Sequence, residues 1–322
     1  IGVVTMVLGA RLIESDQGIG LGAGADVLGA ALVTVALMLG VYTIVESGTY
    51  GLSSLHTLGL GAVAIGLLAA FVIRQAVARA PILPLRLFRS RNLAGANLIQ
   101  ALMVGAFFGF FFLGALDLQR VLRYGPMAIG LAFLPDTVAM AALSIGLSAR
   151  LITRFGSRTV VLAGLTFIAT GLVLFALSPV NADYVRDLLL PMALLGVGAG
   201  LSFPALTILA MSGATPSDAG LASGLLNTTT QVGAALGLAI LATLATSRTG
   251  QLITAGQGAA AALSGGYHFV WASSAGLVIA TIVLAATLLK SEPERAAATD
   301  NSMTDSAMEE AEDALEKEEV CA

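Results

Sequence analysis

Apolar residues in this chain come in long unbroken runs, not in the stripes of an amphipathic surface helix, and short polar or basic stretches close each run. Full-length runs fall at about 26–46, 56–74, 94–116, 127–149, 159–178, 188–212, 219–245 and 267–289. A helix rises about 1.5 Å per residue, so roughly 20 residues cross a hydrocarbon core of about 30 Å. The pattern therefore predicts an all-α fold, a polytopic membrane helical bundle of eight spans. Residues 1–12 are too few to span and read as the remnant of a truncated helix, which requires earlier spans or a secreted domain upstream. Residues 75–93 form a basic connector, and residues 291–322 an acidic tail expected to be solvated and disordered.

Composition agrees with the runs. The chain is 57% hydrophobic and 11% charged, with a mean hydropathy of +0.90, whereas soluble domains carry about 25% charged residues. The net charge of −4 hides an asymmetry, because residues 291–322 hold 11 acids and only Arg295 and Lys317 as bases. The rest carries 14 basic and 9 acidic residues. Twelve of the 16 Lys and Arg fall on one side of the predicted spans, at Arg11, in the connector, in the turn at 150–158 and in the tail. Basic loops stay cytoplasmic, so the expectation is a multi-pass cell-membrane protein with its C-terminus inside. The one cysteine, Cys321, excludes an intrachain disulfide and a cysteine metal cluster. There is no phosphate-binding loop with Gly-Lys-Ser or Gly-Lys-Thr, hence no sign of an ATP motor, and no nucleophile, base and metal constellation that would mark an enzyme.

The sharpest chemical feature is Asp136, near the middle of the run Met127–Ala149. An ionised Asp at a helix centre costs roughly 2.5–3.5 kcal/mol, so such a residue faces a protein interior or a wet cavity. Pro135 before it cannot donate to the Leu131 carbonyl. A protonated Asp136 can supply the replacement donor, which would couple proton binding to helix shape; the alternative is a permanently neutral acid that patches a proline kink. In the next-but-one span, Gly196, Gly198, Gly200 and Pro204 lie within GVGAGLSFP. They invite a helix break of the kind that lines transporter sites, or else close packing through small residues.

Polar side chains on other spans suggest a cavity for an amphipathic organic molecule. Asn97 and Gln100 share a helix face, continued by Phe107 and Phe111. Ser223, Asn227 and Gln231 recur every four residues and are expected to face the protein interior, while Gly220/Gly224 and Gly233/Gly237 offer small-residue packing pairs. Asp117 and Arg120 are placed to pair at the outer mouth. His268 and Trp271, near the outer end of the last span, read as an interfacial aromatic anchor. The connector reads as a topology-setting segment along the inner membrane surface, not a nucleic-acid site.

Three stretches together resemble the major facilitator superfamily, and within it the fourteen-span drug:proton antiporters. The turn ARLITRFGSR is similar to the superfamily's loop signature G-x-L-x-D-R-x-G-x-R, matched by Leu151, Arg154, Gly156 and Arg158; Ala149 replaces the Gly and Thr153 the Asp. PLRLFRSRNLAGAN, Pro84 to Asn97, looks like the junction into the family's last six spans. GLASGLLNTTTQVGAALG, Gly220 to Gly237, is similar to its penultimate span, with Thr230 where an Arg is common. The resemblance implies a remnant of a sixth span at 1–12, two extra central spans at 26–74 and a C-terminal six-helix transporter bundle at 94–289. It implies a missing N-terminal six-span half as partner, besides the lipid bilayer and a small amphipathic organic substrate. The implied activity is export by proton antiport, with no cofactor and the proton gradient as energy source. A non-transporting membrane scaffold or regulator derived from a half-transporter is the alternative.

Overall fold

The computed structural model describes residues 26–51, 53–78, 81–83, 86, 88, 90–180, 182–212 and 218–289. The expected remnant at 1–12 and acidic tail at 291–322 lie outside the described residues, as does part of the connector. The described residues form eight helices long and apolar enough to cross a membrane: α1 Val27–Tyr50, α2 Leu55–Val77, α3 Arg91–Arg120, α4 Pro126–Phe155, α5 Ser157–Ala176, α6 Tyr184–Met211, α7 Ala219–Thr254 and α8 Ala259–Leu288. No strand occurs among the described residues.

Helix starts follow local chemistry. Asp26, Ser54 and Ser90 accept from Gly29 N at 2.9 Å, Thr57 N at 3.1 Å and Leu93 N at 3.3 Å, each satisfying an orphan donor of the first turn. Pro126 opens α4, where its missing N–H is no loss. Gly156, at φ +80°, makes the reversal between α4 and α5, and Gly256, at φ +87°, that between α7 and α8.

Helices α3 to α8 pack as one bundle. Neighbouring pairs are α3 with α6, α7 and α8, α4 with α6, α5 with α6 and α8, and α7 with α8. α3 and α6 bury most of their length, whereas α4 is largely exposed. The core joins Met103 and Phe110 of α3, Ile168 and Leu172 of α5, Met192 and Leu195 of α6 and Trp271 of α8. α1 and α2 pair with each other and reach the bundle through α7, where the Thr243 hydroxyl donates to the Ile44 carbonyl at 3.4 Å. At the opposite end of that pair, Asp26 accepts from Arg74 Nε at 2.8 Å and Gln75 Nε2 at 2.9 Å, and Gln75 in turn accepts from Leu83 N of the connector. Arg86 ties the connector to Asp218, just before α7, at 2.8 Å.

The two boundaries that differ most from expectation lie between α7 and α8. α7 runs to Thr254 and α8 starts at Ala259, not near 245 and 267. The intervening Ala, Ser, Thr and Gly residues lower the hydropathy, but their small size lets the helices approach: a Cβ on Gly266 would meet Thr249 and the Ala245 carbonyl.

Candidate functional site

The α4–α6 seam holds the most distinctive chemistry. α4 is interrupted twice. Pro135 sits at the start of a second helical segment, Leu134–Ala142, after a break at Phe133, and a π-helical turn at Leu143–Leu147 precedes the last segment, Ser148–Phe155. Both interruptions are tied to α6 by a hydroxyl. Tyr184 Oη donates to the Ala132 carbonyl at 2.9 Å beside the first, and Ser144 Oγ donates to the Gly200 carbonyl at 3.2 Å within the second. Gly200 is four residues before Pro204, which has no N–H to offer it. The serine therefore serves a carbonyl that its own helix cannot.

Between these tethers, Asp136 is only 1% exposed. Neither of its carboxyl oxygens has a hydrogen-bond partner among the described residues. Its backbone lies against Gly196, where a Cβ would strike the Asp136 carbonyl, and Gly200 sits likewise against Met140 and Leu143. Gly198 faces the other way, onto Gly164 and Ile168 of α5. The expected break at Gly196, Gly198, Gly200 and Pro204 is thus corrected: Leu189–Met211 is one continuous helix with Pro204 inside it. The glycines let α4 and α5 approach closely, and the proline's orphan carbonyl is met from outside. The expected repair at Pro135 is not made: neither Asp136 oxygen has a hydrogen-bond partner among the described residues, and the Tyr184 hydroxyl serves the adjacent Ala132 carbonyl, not that of Leu131.

The proposed cavity residues separate into two groups. Asn97 and Gln100 are buried. Asn97 Nδ2 donates back to the Leu93 carbonyl at 2.9 Å, and Gln100 Nε2 donates to Thr230 Oγ1 of α7 at 3.3 Å. Phe107 is buried and Phe111 half-buried, in a ring cluster where Phe111 stacks on Phe133 of α4 at 5.0 Å and Phe107 meets Phe203 of α6 edge-on at 6.3 Å. Ser223, Asn227 and Gln231 are all exposed on α7, facing away from the other described helices. The glycine pairs divide along the same line. Gly233 and Gly237 pack onto Ala101 and Gly105 of α3, whereas a Cβ on Gly220 or Gly224 would meet nothing within 4 Å.

The basic turn is built as its residues suggest. Leu151 is half-buried against the core, Arg154 is exposed, and Gly156 takes a left-handed φ that other residues resist. Arg158 Nη2 donates to the Ala286 carbonyl at 2.6 Å, one of the last carbonyls of α8, where a cation also suits the helix dipole. Outer-end expectations fare differently. Asp117 is buried with Oδ1 unpartnered, and the ion pairs among the described residues are Arg74–Asp26 and Arg86–Asp218, not Asp117–Arg120. Trp271 is 1% exposed against Phe175 at 5.4 Å, so it is a core residue and no interfacial anchor. His268 lies 3.4 Å from Ser264 Oγ and 3.5 Å from Ser178 Oγ.

Sequence reasoning passed over Ser144 and Tyr184. For Ser144 a signal existed, since a proline inside an apolar run announces an orphan carbonyl four residues earlier. Nothing along the chain told which hydroxyl would reach it.

Comparison with known proteins bears on this architecture. The family model described as Major Facilitator Superfamily matches residues 16–238. The chain is 31% identical over 296 residues to the puromycin resistance protein pur8 of Streptomyces alboniger, covering 90% of this chain and 59% of that protein. It is 33% identical over 259 residues to the cephamycin export protein CmcT of Amycolatopsis lactamdurans, covering 77% and 52%. With the tetracenomycin C resistance and export protein of Streptomyces glaucescens the identity is 30% over 253 residues, covering 78% and 46%. The chain spans about half the length of the curated relatives it matches. With eight membrane-length helices and no strand among the described residues, and a family match over more than half its length, the chain belongs to the Major Facilitator Superfamily.

Proposed function

We propose that the chain is the C-terminal part of a secondary active exporter of amphipathic organic compounds, driven by proton antiport across the cell membrane. On this reading residues 94–289 are the C-terminal six-helix bundle and residues 26–74 an extra pair of spans. The arginine-rich helix ends and the C-terminus face the cytoplasm. A six-span half upstream completes the transporter, as the coverage of the longer relatives supports. The names of those relatives, which refer to resistance or export, support the direction of transport.

The observation that carries the proposal is Asp136. A carboxyl buried at mid-helix, without a donor and without an ion pair, is an expensive arrangement for a purely structural residue. It fits a group that takes up and releases a proton as the α4–α6 seam changes. The exposed α7 stripe of Ser223, Asn227 and Gln231 supplies this half's share of a substrate cavity, because polar amides on a bundle surface at membrane depth call for a partner other than lipid. Gln100 supports that wall from behind by fastening α3 to α7 through Thr230.

Everted vesicles from cells expressing the chain together with its upstream half test this. Puromycin, cephamycin and tetracenomycin C are the first probes. An acid-inside gradient is expected to drive uptake of at least one of them, and an exchanger that collapses the gradient to abolish it. Uptake that survives collapse of the gradient, or that requires ATP, would overturn the proposal.

A further inference from the structure

We propose that Ser144 is a positioning residue that locks the helical register of α4, so that the π-helical turn at Leu143–Leu147 acts as a hinge between the Asp136 segment and the basic turn. A π-helical turn holds one more residue than the α-helical turn it replaces, and such turns inside α-helices are frequent at functional sites. Relaxing this one to α geometry would turn everything after it by one residue position, about 100°, relative to Asp136. The segment so moved is Ser148–Phe155, which leads into Gly156 and Arg158.

What opposes relaxation is on α6. Ser144 Oγ reaches the Gly200 carbonyl at 3.2 Å from inside the π-helical turn. Pro204 leaves that carbonyl without an in-helix donor. Gly200 has no side chain of its own, and a Cβ there would meet the Met140 carbonyl and Leu143. Proline, glycine and serine thus form one device across two helices. The proline frees an acceptor, the glycine lets α4 come close, and the serine uses the acceptor to hold an irregular turn. Ser148 reports the register, because it is fully buried just beyond the turn while its neighbours Leu147 and Ala149 are exposed.

The test needs no transport assay, so its outcome is separate from that of the export proposal. In the complete protein, with Cys321 and any cysteine of the upstream half replaced by serine and a single reporter, Ser148→Cys, introduced, the rate of N-ethylmaleimide labelling is measured in membranes. Ser144→Ala is expected to raise it several-fold. Pro204→Ala, whose new N–H competes for the Gly200 carbonyl without leaving a polar group unpaired, is expected to raise it as well. The double variant should label no faster than the faster single one, since both act on the same acceptor. A wild-type rate in Pro204→Ala, or multiplying effects in the double variant, would overturn the hinge. Should Ser144→Ala fail to fold, the Pro204→Ala result alone decides.

Discussion

Asp136 and Gly196 meet backbone to backbone, close enough that a Cβ on the glycine would strike the aspartate carbonyl. This approach brings the broken helix α4 onto the continuous Leu189–Met211 segment of α6 and buries a carboxyl between two hydroxyl tethers. Contacts of this kind drive helix association inside a bilayer, where the surrounding lipid is as apolar as leucine and packing must do what the hydrophobic effect does in water.

The glycines make the first prediction. Gly196→Ala and Gly237→Ala push a methyl group into backbone of the facing helix and are expected to destabilise by about 1–3 kcal/mol. Gly220→Ala and Gly224→Ala meet open space and are expected to be neutral, or stabilising by up to about 1 kcal/mol through helix propensity. Thermal unfolding in detergent distinguishes the two sets, and equal effects would contradict the packing described.

How much of this was legible beforehand depended on what each residue had to do. Runs of apolar residues gave eight spans because the bilayer imposes a length and a composition on every crossing helix. Gly156 and Arg158 were readable because a tight basic turn needs a left-handed residue and a helix end to donate to. Ser223, Asn227 and Gln231 were correctly placed on one helix face, but which neighbour that face meets depends on how α7 sits on α3, and periodicity is silent on that. GVGAGLSFP shows the same limit. Its glycines serve two different neighbours, alternately α4 and α5, and a count of helix breakers cannot tell close packing from bending. Trp271 shows a related limit: nearness to the end of an apolar run is not nearness to the interface, because α8 begins eight residues earlier than hydropathy suggests.

Exposure separates the polar residues into a second prediction. Asn227→Leu and Gln231→Leu alter exposed side chains and should change stability by no more than about 0.5 kcal/mol. Substrate export should fall. Gln100→Ala removes a buried donor to Thr230 and should destabilise by about 1–3 kcal/mol. Paired unfolding and efflux measurements check both halves, and stability losses at Asn227 and Gln231 like that of Gln100 would refute the division.

Arg123 follows the end of α3 with φ 61°, a left-handed conformation where glycine is the usual occupant. Replacing it by glycine should raise stability by about 0.5–1 kcal/mol, the relief of left-handed strain less the added freedom of the unfolded chain. A lower melting temperature for Arg123→Gly would show that its side chain contributes more than its backbone costs.

At the arginine-rich end of α1 and α2, the Arg74 guanidinium and then the Gly29 N–H hold the Asp26 carboxyl below the usual carboxylate range. A depressed folded value means that the stabilisation is fully present above the unfolded value of about 3.9 and is lost as the pH falls through the lower folded one. Loosening of the α1–α2 contact is therefore expected only below about pH 4. Asp26→Asn should remove this part of the acid sensitivity. Protease susceptibility of the pair, followed from pH 6 down to 3, is the measurement, and identical acid profiles for the two proteins would count against the contact.

The most direct test concerns Asp136. In the complete transporter, Asp136→Asn keeps the size of the side chain and removes its ability to carry a proton. Transport driven by a pH gradient is expected to fall at least about tenfold, a change of about 1.4 kcal/mol in the barrier, while exchange of substrate at equal concentrations continues. Gradient-driven export at the wild-type rate in Asp136→Asn would contradict the account, because the buried carboxyl between α4 and α6 would then have no part in coupling.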